Sequence, residues 1–142
     1  MKDIRAMAGA ADLDRWRVPR QSEVLGSDLL LPAETMEIRY EARAFPDRVL
    51  RPIAHDLNTR SEQPDGFRHD VFREIASAGL YSIPFPKDVG GRGLQYPTLA
   101  TLMVVEEIAH YSAGTASALY DAQAILVGMT LDMAQPALRS TN

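Results

Sequence analysis

Glu106 and Glu107 form the most conspicuous acidic pair in the sequence, and paired carboxylates are the usual means of moving a proton during catalysis. Adjacent residues on a helix diverge by about 100°, so the two are not expected to face one substrate together. The spacing predicts a structural role, one Glu bonded to an Arg or a chain end and the other solvated or at a domain contact. His55, His69 and His110 lie far apart and lack the partner spacing of a zinc site, so no metal is expected. Ser112, Ser117 and Asp121 lack a Gly-x-Ser-x-Gly elbow or a nearby base and read as capping or solvated groups. Gly90, Gly91 and Gly93 form a glycine-rich loop. No Lys-Ser/Thr follows it and no buried strand precedes it, so it reads as a tight turn, not a phosphate cradle.

The elements that would position these groups are helical. From Glu34 to Leu57, Ile38, Ala42, Phe45, Val49 and Ile53 recur at one-face helical spacing, with a kink or break expected at Pro46 and Pro52. A polar link, Asn58 to Gly66, leads to a short helix around Val71, Phe72, Ile75 and Ala76, which Gly79 is placed to end. Tyr81 to Pro86 is expected to be an extended connector, because each proline biases the residue before it away from helix. Pro97 suits the first turn of a third helix, Thr98 to His110, apolar on nearly every side and therefore expected to be central and buried. Ser112 can cap a fourth helix, Ala113 to about Met133, whose first half is mostly Ala, Gly, Ser and Thr. The fold class is thus all-α, a bundle of about four main helices. It is preceded by residues 1–31, an extension without stable periodicity that is expected to be flexible.

Composition narrows the function classes. The 142 residues are 46% hydrophobic and 24% charged, values of a globular chain. At that length a single domain can remove roughly 68–70% of its unfolded surface from water. A net charge of -4 without a basic block excludes the usual electrostatic footprint for nucleic acid. The absence of cysteine removes disulfides, thiolate chemistry and iron–sulfur clusters. The first residues carry Asp3, Asp12 and Asp14 and resemble no secretory or transit signal, and Ser117, Asp121 and Gln123 interrupt the one apolar stretch of membrane-span length. A cytoplasmic protein that does not enter the membrane is expected.

Four segments in order carry a resemblance: Arg51-Pro52-Ile53-Ala54, Ala78-Gly79-Leu80-Tyr81-Ser82-Ile83, Pro86-Lys87-Asp88-Val89-Gly90-Gly91-Arg92-Gly93-Leu94, and Val105-Glu106-Glu107-Ile108-Ala109. Over roughly Pro32 to Leu131 this series resembles the N-terminal α-helical domain of acyl-CoA dehydrogenases, with Lys87 or Asp88 where that family commonly has Glu. The resemblance implies domain bounds of 32–142, cut short at the C-terminal end, and an FAD-dependent, homo-oligomeric oxidoreductase. In that family a C-terminal-domain carboxylate takes the α-proton of an acyl-CoA thioester while the β-hydride passes to flavin, in fatty-acid or related acyl-CoA catabolism. The middle β-domain and the C-terminal helical domain with its base are not expected within these residues, so no catalytic residue and no definite flavin contact is assigned to them. What the resemblance does imply is one wall of the acyl cavity, from Ala116, Tyr120 and Ala124, with Leu119 and Gln123 adjacent. Two other readings remain open: a non-enzymatic helical module or split subunit that completes a partner dehydrogenase, and a fragment of a related flavin monooxygenase or acyl-CoA oxidase.

Overall fold

The computed structural model describes residues 19–20, 27–59, 68–125, 130 and 133, although the side chains of residues 27, 124 and 125 lie outside that description. The chain divides into two compact units, Met1–Leu31 and Pro32–Asn142. In the first, Ser27–Leu30 forms a 3-10 turn with Leu29 and Leu30 exposed. The flexibility expected of residues 1–31 falls largely outside the described residues.

The second unit is helical, with no strand among its described residues. Helix α1 spans Ala33–Val49, a 3-10 turn spans Arg51–Ile53, and a short helix α2 spans Ala54–Thr59. The two expected interruptions behave differently. Pro52 lies within the 3-10 turn that separates α1 from α2, whereas Pro46 sits inside α1, buried, and the helix runs on to Val49. A proline one turn from a helix end removes a single internal hydrogen bond, and the Pro46 carbonyl still accepts from the Leu50 amide at 3.0 Å.

Helix α3, His69–Ser77, buries Val71 and Ile75, and Gly79 ends its chain direction with a left-handed φ of 68°. The segment after it corrects the extended connector predicted from sequence. Leu80–Ser82 is a 3-10 turn, and Ile83 takes right-handed helical angles although Pro84 follows it. Burial of Leu80 and Ile83 and local hydrogen bonds outweigh the proline bias here: Ser82 Oγ donates to the Gly79 carbonyl at 2.7 Å, and the Ser82 carbonyl accepts from Phe85 and Arg92.

Helix α4, Pro97–Ala109, starts on its proline as expected and packs against both α1 and helix α5, Ala113–Tyr120. Its burial is one-sided. Ala100, Thr101, Val104, Glu107 and Ile108 face inward while Leu102 remains 43% exposed, so the apolar residues of α4 exceed what these helices cover. Ser112 caps α5, accepting from the Thr115 amide at 3.3 Å. Past Tyr120 the chain widens into a π-helical turn, Asp121–Ile125; the rest of the fourth helix expected to reach Met133 lies almost wholly outside the described residues.

The glycine loop is folded onto its own chain. A Cβ at Gly91 would overlap the Phe85 carbonyl, whereas one at Gly114 would meet nothing within 4 Å. Outer carboxylates of α1 clasp the loop: Glu41 accepts two bonds of 2.6 Å from Arg92, and Glu34 accepts from the Gln95 amide at 2.8 Å. The loop glycine Gly91 and the α5 glycine Gly114 are expected to respond oppositely to a methyl group. Gly91→Ala is expected to lower stability by about 2 kcal/mol or more, and Gly114→Ala to leave it unchanged or raise it by about 0.5 kcal/mol, both read from denaturation midpoints. The Arg92 hydrogen bond holds the Glu41 carboxyl below its ordinary range. Its contribution is therefore present above the unfolded-state value and lost as pH falls through the folded one. Thermal melts of Glu41→Gln against the parent should converge in acid and separate toward neutral pH.

Candidate functional site

The acidic pair singled out in the sequence stands on the inward and lateral sides of α4, facing α1. Arg39 and Arg43, one helical turn apart on α1, meet it. Arg39 Nε donates to Glu107 Oε1 at 2.8 Å, Arg39 Nη2 to Glu106 Oε1 at 2.8 Å, and Arg39 Nη1 reaches the Met103 sulfur at 3.3 Å. Arg43 closes the cluster through Nη2 to Glu107 Oε1 at 2.8 Å and Nε to Oε2 at 3.1 Å, its guanidinium lying over the Tyr40 ring. Arg39 and Glu107 are each only 1% exposed.

The expected division of labour between the two carboxylates needs correction. Neither is merely solvated, because a guanidinium is a planar fork of donors and Arg39 spans the angle between neighbouring residues of α4. Both Glu107 oxygens accept from guanidinium N–H groups, and one Glu106 oxygen accepts from Arg39. This is a structural clasp between α1 and α4.

Among the residues assigned from sequence to a cavity wall, Ala116 and Leu119 lie in the core. Gln123 is 2% exposed and donates through Nε2 to the Leu80 carbonyl at 2.5 Å, its Oε1 buried without a partner. Tyr120 is half-buried, and Ala124 lies in the wide turn with its side chain outside the described residues. The structure therefore brings Ala116, Leu119 and Gln123 together as the inward side of α5, and sets Tyr120 at the edge between that side and the exposed one. Sequence reasoning missed Arg39 and Arg43 entirely. Their signal is legible afterwards: two arginines at i, i+4, one of them inside the otherwise small or apolar face Thr35, Ile38, Ala42, Phe45 and Pro46.

A family description, "Acyl-CoA dehydrogenase, N-terminal domain", matches residues 32–141. The chain belongs to the acyl-CoA dehydrogenase family. Similar proteins include the probable acyl-CoA dehydrogenase fadE25 of Mycobacterium leprae (strain TN), 29% identical over 83 residues, 58% of this chain and 20% of the relative. The protein of the same name from Mycobacterium tuberculosis (strain ATCC 25618 / H37Rv) is 28% identical over 83 residues, again 58% and 20%. A 3-(aryl)acrylate reductase of Clostridium sporogenes (strain ATCC 15579) is 32% identical over 75 residues, 53% of this chain and 18% of the relative. The chain thus spans about a fifth of the length of these relatives. No solved structure matches it.

Acyl-CoA dehydrogenases are in general FAD-dependent, and the glycine loop is the part of this domain whose composition most suggests a pyrophosphate cradle. It does not fit one. The amides of Gly90, Gly91, Arg92 and Gly93 donate to the carbonyls of Lys87, Pro86, Ser82 and Phe85 at 3.1, 2.9, 3.2 and 3.0 Å, and the Arg92 guanidinium is spent on Glu41. Anion binding by a loop requires unspent N–H groups. Among the described residues no group of three or more His, Cys, Asp or Glu could hold a metal ion, and no helix is long and apolar enough to cross a membrane.

The clasp generates a sharp contrast. Glu107→Ala strands a buried guanidinium and is expected to cost about 3–5 kcal/mol, whereas Glu106→Ala, whose side chain is 37% exposed, is expected to cost about 1 kcal/mol or less. Urea denaturation of the two variants in parallel measures the difference.

Proposed function

We propose that this chain supplies the N-terminal helical domain of an FAD-dependent enzyme that dehydrogenates acyl-CoA thioesters between the α and β carbons. It acts as scaffold and cavity wall and not as catalyst. The family match over residues 32–141 supports this reading, and the pairing of Glu106 and Glu107 with Arg39 and Arg43 supports a structural role for those two carboxylates. On this reading the base and the flavin contacts come from polypeptide outside the described residues, in the same chain, in another copy of a homo-oligomer or in a partner subunit. The working compartment is the cytoplasm.

The observation that carries the wall role is the anchoring of α5. Ala116, Leu119 and Gln123 fix its inner side against the domain, and on this reading the half-buried Tyr120, at the border of that side, meets the ligand. A wall residue set on a helix pinned from behind keeps its position when a ligand arrives, which is what discrimination by shape requires.

Two measurements test the proposal. The purified 142-residue chain mixed with FAD is expected to show neither a stoichiometric bound-flavin spectrum nor dye-coupled turnover of acyl-CoA; either result would overturn the division of labour. In the complete enzyme, Tyr120→Ala is expected to shift the ratio of kcat/KM values toward longer or bulkier acyl groups by about tenfold, the scale of one or two buried methylenes. An unchanged chain-length profile would remove Tyr120 from the wall.

A further inference from the structure

Resting on the reading of α5 as an acyl-facing wall, we propose that the acyl group this wall accepts carries a hydrogen-bond donor, a hydroxyl or an amine, toward its distal end. A plain alkyl chain is the poorer fit. The inference comes from which residues of α5 the domain leaves uncovered.

Thr115, Ala116, Leu119 and Gln123 are buried, and on a 3.6-residue period they occupy one side of the helix. The rest of the helix surface holds Ala113, Gly114 and Ser117, all exposed, and the half-buried Asp121, with the half-buried Tyr120 at its border with the buried side. At its N-terminal end this surface is nearly flat, with open space where a Gly114 side chain would stand. Further along, Ser117, Tyr120 and Asp121, at i, i+3 and i+4, converge on one patch and present a hydroxyl, a phenol and a carboxylate. None of the three side chains makes a hydrogen bond or ion pair with another described residue. The chemistry therefore runs from featureless to strongly polar within two helical turns.

Such a gradient discriminates. An unbranched alkyl chain laid along it would strip water from the Asp121 carboxylate and return nothing, and a carboxylate desolvated without a partner is among the most costly arrangements a binding site can hold. An acyl group ending in a hydroxyl or an ammonium replaces that water with a charge-assisted hydrogen bond to Asp121 and a second bond to the Tyr120 phenol. Sites built around a substrate hydrogen bond reject the analogue that lacks it far more strongly than apolar pockets reject a missing methylene.

The test uses the complete flavoprotein containing this chain, assayed with ω-hydroxy and ω-amino acyl-CoAs of short to medium chain length beside their plain counterparts. The expected result is a kcat/KM ratio favouring the polar-ended substrate by at least about tenfold at one chain length. That ratio should fall about tenfold in Asp121→Asn for the amine, and in Tyr120→Phe for the hydroxyl. Turnover of plain acyl-CoAs without such a preference, or a preference that both variants retain, overturns this inference and leaves the dehydrogenase reading standing. No turnover of any acyl-CoA overturns both.

Discussion

The domain depends on one buried charge cluster. Arg39 and Glu107 are withdrawn from water together, and neither could be withdrawn alone without a penalty of several kcal/mol. Because Glu107 also takes Arg43, and Arg39 also takes Glu106, α1 can meet α4 in only one register: a slip by a turn would leave a buried guanidinium or carboxylate unanswered. Apolar packing by Ile38, Phe45, Val104 and Ile108 supplies the driving force but is tolerant of small shifts. The cluster makes the packing specific.

From that fixed pair the rest of the unit is built by short polar ties. Tyr111, just past α4, donates its hydroxyl to Asp47 on α1 at 2.7 Å and receives the Asn58 amide on its carbonyl at 2.8 Å, so the entry to α5 is tied to both α1 and α2. Glu34 and Glu41 hold the glycine loop on the outside of α1. Gln123 then binds the far end of α5 to Leu80, closing the circuit between the last and the middle elements.

Much of this arrangement is legible in the sequence, and the exceptions have physical reasons. Pro97, Ser112 and Gly79 mark helix ends correctly because each acts through local backbone chemistry, a fixed φ, a capping oxygen or a left-handed turn. Family membership was legible from four ordered segments, and residues 32–141 match that family. The Tyr81–Pro86 segment misled because burial of Leu80 and Ile83, a tertiary effect, overrode a local proline bias. Arg39 escaped notice because a charge within a helical face ordinarily reads as solvated, and the carboxylates that meet it stand on a helix more than sixty residues later. Gln123 escaped as a structural tie for the same reason: its partner is a main-chain carbonyl that no side-chain pattern announces.

The widened turn at Asp121–Ile125 has a consequence for any comparison by counting. A turn closed by i to i+5 bonds takes up one more residue than its α-helical neighbour. Register drawn from the Glu106–Glu107 pair therefore holds as far as Tyr120 and is offset beyond it. Two homologues with identical spacing, one carrying the widened turn and one without it, would present different amino acids at the same point in space.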